Sequence, residues 1–302
     1  KIGILSIHEA LKNSELDPTD PQCKLILSTT KGNVELLDQA AGFDKERLFL
    51  WKSARVIADF FGIKASPVIV SNACISGVAA ILLGQEMISA ASCSHAIVLG
   101  ADLVSKFIVS GFQSFMSLSE KACKPFDRER NGLTLGEAAA TVILSSRETE
   151  VELVSGSTSN DANHISGPSR SGEGLLLAIQ KTLKGQKLPG IISAHGTATL
   201  YNDEMESIAL NRAGLAGVAV NSLKGYYGHT LGAAGIVESI INLEAMKKDL
   251  LPATKGFSVL GVSGEINISD QPGEGDAKTL LKIASGFGGC NAAALFKLVP
   301  CK

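Results

Sequence analysis

Two stretches of this chain follow one plan: an apolar run, a sharp polar break, then a segment that opens on small residues and turns helical in its spacing. They are "VIVSNACISGVAAILLG", residues 68–84, and "VAVNSLKGYYGHTLGAAGIVESIINL", residues 218–243. Around them, short β-branched runs alternate with longer stretches whose apolar residues recur at helical spacing, which is the pattern of an α/β fold. "CKLILSTT", "SPVIVSNA", "HAIVLGAD", "ATVILSSR", "GIISAHG", "VAVNSLKG" and "KTLLKIASG" read as strands. "LFLWKSARVIADFFG", "ISGVAAILLGQEMISAAS", "EGLLLAIQKTLKG", "NDEMESIALNRAG" and "GIVESIINLEAMKKD" read as helices. Two strand–break–helix units predict a pseudo-duplicated architecture whose breaks converge on one site at the strand ends. The division is expected as residues 1–154 and 155–302, with the Ser/Gly/Asn-rich "VSGSTSNDANHISGPSRSGEG" as the join.

Composition narrows the function classes. A formal charge of −2 provides no positive field to hold a nucleic-acid backbone. Each apolar run is interrupted by polar residues before it reaches the length of a membrane span, and the first residues lack the pattern of a secretory signal. Six cysteines, Cys23, Cys74, Cys93, Cys123, Cys290 and Cys301, are scattered without CxxC pairs. That usage fits reduced thiols in the cytoplasm. No Cys/His ligand spacing suggests a metal site, and no phosphate loop suggests a nucleotide.

The chemistry-bearing residues stand at the breaks. Cys74 lies at a strand-to-helix junction, where the helix N-terminus favours a thiolate. His195 follows an apolar strand in "ISAHGTATLYNDEME", with Asp203 and Glu206 a turn or two beyond. His229 sits in a second glycine-flanked break, with Lys224 five residues before it and Glu238 nine after. Near the C-terminus, Gly286, Gly288 and Gly289 form a tight turn around Phe287 that lets a substrate approach the main chain. His8, His95 and His164 lack such a context, and Cys23, Cys93, Cys123 and Cys301 read as inert buried thiols.

"ACISG", "PFDRERNGLTLGEAAA", "HGTATLYNDEME", "KGYYGHTLGAAGIVE" and "GFGGCN", in that order, resemble the motifs of the elongating β-ketoacyl synthases, the I/II-type condensing enzymes of the thiolase superfamily. The resemblance implies an αβαβα sandwich of two thiolase-like halves, the first carrying the nucleophile and the second the histidines and gating loop. Cys74 would accept an acyl group from acyl carrier protein. His195 and His229 would assist decarboxylation of a malonyl thioester, and the backbone N–H groups of Cys74 and Phe287 would form the oxyanion hole. Lys224 would act with Glu238 as a buried ion pair orienting the histidines, Asp203 and Glu206 would give structural support, and Phe287 would gate the acyl pocket. No cofactor would be bound, since phosphopantetheine arrives on the carrier protein. A homodimer, or a heterodimer with a related synthase subunit, is expected.

Thiolases share the fold but use a second cysteine as base, where this pattern offers two histidines. Two alternatives stay open: a partner subunit resembling chain-length factors, and a malonyl-carrier-protein decarboxylase. Ala198, Asn131, Leu133 and Ser285 stand where the family has Gly or Ser, Asp, Phe and Phe, and Cys290 where it has Thr. The family's first strand has no counterpart ahead of "SIHEALKNSEL", so further natural residues, in front or in loops, are expected.

Overall fold

The computed structural model describes residues 1–37 and 42–300; Cys301 lies outside them. Two compact units emerge, each drawn from three segments. The first takes residues 1–111, 137–148 and 230–237, and the second takes 112–136, 149–229 and 238–302. Among the described residues no helix is long and apolar enough to cross a membrane.

In the first unit the chain runs α1 (Ile2–Lys12), β1 (Cys23–Ser28), α2 (Leu50–Phe60), β2 (Val68–Val70), α3 (Ser76–Ser89) and β3 (His95–Asp102). After α4 (Lys106–Ser114), which carries the chain into the second unit, it returns as β4 (Ala138–Ser145). The sheet order is β2-β1-β3-β4, parallel except for β4. Alternation along the strands sorts the side chains between the faces. Leu25, Leu27, Ile97 and Leu99 join Ile7 of α1 and Ala54 and Ala58 of α2 in one core. Ile26 and Ala96 point the other way, toward Gly84 of α3. α3 is buried on most of its circumference, as expected of a helix apolar all round.

Gly77 explains why α3 opens on small residues. A Cβ there would lie 3.0 Å from Gly232 O, 3.1 Å from Ile236 N and 3.2 Å from Gly235 N, all main-chain atoms. The "GAAG" run and the start of α3 are therefore small because the two backbones nearly touch. Gly77→Ala is expected to cost about 1–3 kcal/mol through overpacking, read as a lowered denaturation midpoint; an unchanged midpoint would refute this close packing.

The second unit adds β5 (Val151–Asn160), α5 (Glu173–Thr182), β6 (Ile191–Ser193), α6 (Leu200–Arg212), β7 (Ala219–Asn221), α7 (Lys224–Tyr227) and α8 (Ala234–Met246). The short strands β8 (Leu250–Leu251), β9 (Asn267–Ile268) and β10 (Gly273–Glu274) follow, then β11 (Thr279–Gly286) and β12 (Cys290–Leu298). The main sheet runs β5-β12-β11-β6-β7-β9, and β8 pairs with β10 apart from it. Leu175, Ile179, Ile192, Met205, Leu281 and Ile283 lie in its core.

Two sequence expectations need correction. Residues 154–160 of the supposed join belong to β5, and the two units interleave instead of meeting at one boundary, Glu148–Thr149 being one of five crossings. The cause is long-range pairing: β5 gains its ladder from β12, with Asn160 opposite Cys290. β12 itself went unread because its alanines carry no strand signal of their own.

Candidate active site

Cys74 belongs to the first unit, in the turn between β2 and α3. Ala73 holds φ at +45°, a left-handed conformation that a non-glycine residue adopts only where its surroundings impose it. Ser76 closes the turn: its hydroxyl donates to Ala73 O at 2.6 Å and accepts from Asn72 N at 2.7 Å. Cys74 is thereby fixed just ahead of a fourteen-residue helix, 7% exposed. Cys23 sits in the core, and burial pushes its thiol up to about 12.

The other candidate residues lie in the second unit, beyond the C-terminal ends of the parallel strands β6 and β7. α6 folds its first turns back over the loop after β6. Glu206 accepts from His195 N at 2.6 Å and Gly196 N at 2.7 Å. Asp203 accepts from Thr197 N at 2.9 Å, from Ala198 N, and from Phe126 N at 2.7 Å. Both carboxyls are fully buried. Burial and the adjacent Asp203 charge push Glu206 up to about 7, against the pull of these N–H donors. Gly196 has φ +42°, and a Cβ on it would meet Ser222 Cβ at 2.5 Å, so the loop requires glycine there.

Lys224, at the start of α7, is fully buried. Its ammonium lies 2.6 Å from Glu238 Oε1 and 3.4 Å from His195 Nδ1, and also donates to His195 O. An ammonium only donates. His195 Nδ1 is therefore the acceptor, and in a neutral ring the proton sits on Nε2. The His229 ring stands edge-on to His195, with centroids 5.1 Å apart. Main-chain bonds flank it: His229 N donates to Thr134 O at 2.7 Å, and Gly136 N to His229 O at 3.0 Å. "GLTLGE" is thus the segment that holds His229 in place.

Sequence reasoning missed Lys282. It sits mid-strand in β11, fully buried, 2.6 Å from Glu238 Oε2, and donates to Ser193 O and Ala194 O at 3.2 and 3.1 Å. A lysine inside the apolar run "LLKIAS" was the available signal, because a buried ammonium requires partners.

Burial first, then the Lys224 ammonium, holds both imidazoles well below the ordinary histidine value. Both are neutral at pH 7. A histidine so depressed binds fewer protons folded than unfolded, so its stabilisation is whole above pH about 6.5. It is lost below that pH at about 1.4 kcal/mol per unit. Glu206, raised, acts with the opposite sign between 4.5 and about 7, so the readout is a difference. The stability of wild type relative to His195→Gln should fall by about 1.4 kcal/mol per unit below pH 6.5. Parallel unfolding curves from pH 7.5 to 5 would refute a neutral His195.

Residues 287–289 form the turn of the β11–β12 hairpin. Phe287 packs on Phe112 and Phe115, with centroids 5.5 and 5.2 Å away. Ser285, where the family has Phe, is buried and donates to Asn291 Oδ1 at 2.8 Å within the hairpin. Cys290 is half-buried, with its sulfur accepting from Asn160 at 3.4 Å. The "PFDRER" motif is a clamp: Asp127 accepts from Ser258 N and Val259 N, while Arg130 donates to the carbonyls of Asp127, Gly261 and Leu200.

Residues 5–150 match the model of the beta-ketoacyl synthase N-terminal domain, and residues 151–258 that of its C-terminal domain. The 3-oxoacyl-[acyl-carrier-protein] synthase 2 of Vibrio cholerae is 28% identical over 98% of this chain and 81% of its own length. That of Vibrio harveyi is 30% identical over 79% and 63%. A ketosynthase, ApeO, solved in complex with its chain length factor, ApeC, from Xenorhabdus doucetiae, superimposes with a TM-score of 0.88. It shares 28% identity, covering 97% of this chain and 77% of that one.

Proposed function

The chain belongs to the β-ketoacyl synthase family, and on that premise we propose how its residues carry out a decarboxylative condensation. Its fold is the thiolase-like α/β fold of solved ketosynthases, and its activity is that of a 3-oxoacyl-[acyl-carrier-protein] synthase, an acyltransferase. The Cys74 thiolate attacks an acyl thioester on the phosphopantetheine arm of acyl carrier protein. An S–acyl bond forms as the arm's own C–S bond breaks, and the arm leaves as a thiolate that takes a proton from water. Malonyl thioester then loses its carboxylate as CO2, and the electron pair passes to an enolate oxygen held by N–H donors from His195 and His229. The enolate carbon attacks acyl-Cys74, and the backbone N–H groups of Cys74 and Phe287 hold the tetrahedral oxyanion. Collapse expels the Cys74 thiolate and leaves a 3-oxoacyl chain two carbons longer on the carrier.

One observation carries this reading: the ammonium of Lys224, against Nδ1 of a buried neutral His195, puts the proton on Nε2, making the ring a donor at neutral pH. Phe287 gates the acyl pocket with Phe112 and Phe115. The chain works in the cytoplasm as a homodimer or beside a related subunit, as ApeO stands beside its chain length factor. It binds no cofactor, the phosphopantetheine coming on the carrier. Acyl- and malonyl-carrier protein, mixed with the enzyme, should release CO2 and 3-oxoacyl product in equal amounts. CO2 alone would establish a decarboxylase, and neither product a partner subunit.

A further inference from the structure

Two lysines, not one, meet Glu238. Lys224 takes Oε1 and Lys282 takes Oε2, each at 2.6 Å, and both side chains are fully buried. A buried carboxylate needs one counter-charge; a second ammonium is itself costly to desolvate and calls for a reason. The partners of Lys282 supply one. Its ammonium is ion-paired with Glu238 Oε2 and donates hydrogen bonds to Ser193 O, Ser193 Oγ and Ala194 O. Ser193 and Ala194 lead directly into His195, whose own carbonyl is held by Lys224. Three consecutive carbonyls are thus fixed by two ammonium groups.

We propose that Lys282 is a second positioning residue of the condensing site, clamping the main chain that enters His195 and leaving the Lys224–Glu238–Lys282 cluster with a net charge of +1 beside the imidazoles. This rests on the condensation reading above. A net positive cluster favours the negative charge that develops on the enolate and keeps the neighbouring rings unprotonated. The charged groups around His195 are Lys224 of α7, Glu238 of α8, Lys282 of β11, and Asp203 and Glu206 of α6, with His229 edge-on. The Lys282 charge is among those that depress both imidazoles.

The test is titration of the imidazoles by NMR in the full chain labelled with 15N-histidine, with decarboxylation followed against pH in parallel. Lys282→Met brings the cluster to zero; Lys282→Met/Glu238→Gln leaves Lys224 alone and restores +1. His195 and His229 should protonate about one pH unit higher in the single variant and return toward wild type in the double. The acid limb of decarboxylation should move with them. Superimposed titrations in folded wild type and Lys282→Met would overturn the proposal. Should the single variant not fold, the same shift is read between Glu238→Gln and the double variant, and its absence there overturns it equally. A ring shift in a chain that releases no CO2 would refute the condensation reading while leaving standing only the placement of the Lys282 charge beside the imidazoles.

Discussion

Cys74→Ala should lower 3-oxoacyl product formation by on the order of 10⁴-fold or more, because no acyl-enzyme can form. Release of CO2 from malonyl-carrier protein should persist, since that step needs the N–H groups of His195 and His229 rather than a thiol. His195→Ala should do the reverse. Acyl transfer to Cys74 continues, while decarboxylation falls by about 10²–10³-fold for the lost donor. The two variants together separate the half-reactions, with product and CO2 assayed side by side. Elongated product from Cys74→Ala at more than a trace would rule out Cys74 as the nucleophile.

Asp203→Ala should give the largest loss of stability. Its carboxylate accepts from the main-chain N–H groups of Phe126, Thr197 and Ala198, and the side chain is fully buried. Truncation leaves three buried donors without that acceptor, each worth about 1–3 kcal/mol. A total of roughly 3–9 kcal/mol is a large share of the 5–15 typical of a folded domain. At this chain length it should lower Tm by on the order of 10 °C. Asp203→Asn keeps one acceptor oxygen and should lose less. A Tm within about 2 °C of wild type for Asp203→Ala would show that the loop finds its acceptors elsewhere.

What the sequence revealed, and what it hid, follows from how each residue signals. Cys74, His195 and His229 stand out because they interrupt apolar strands beside small residues, and the strands leading to them lie where the residue pattern places them. The carboxylates of "NDEME" were legible as neighbours of His195, but their targets were not: main-chain donors at 195–198 and at Phe126 come together only in the fold. β5 and β12 were illegible because serine, glycine and alanine give weak strand propensity, and their ladder joins residues that lie 130 apart at its nearest pair, Asn160 and Cys290. Lys282 was hidden by alternation itself. One lysine in a strand reads as a solvent-facing residue until both faces of β11 prove buried. The glycines of "GAAG" were visible as a motif, yet their reason, the backbone of α3 at van der Waals distance, is a fact of packing.

Acyl transfer to Cys74 is read directly in the intact mass of the protein after incubation with a panel of acyl-carrier-protein thioesters, wild type beside Cys74→Ala. Wild type should gain one acyl group, discharged on addition of malonyl-carrier protein, and the variant none. An unmodified mass for folded wild type with every acyl group, or an equal adduct on Cys74→Ala, would contradict that transfer.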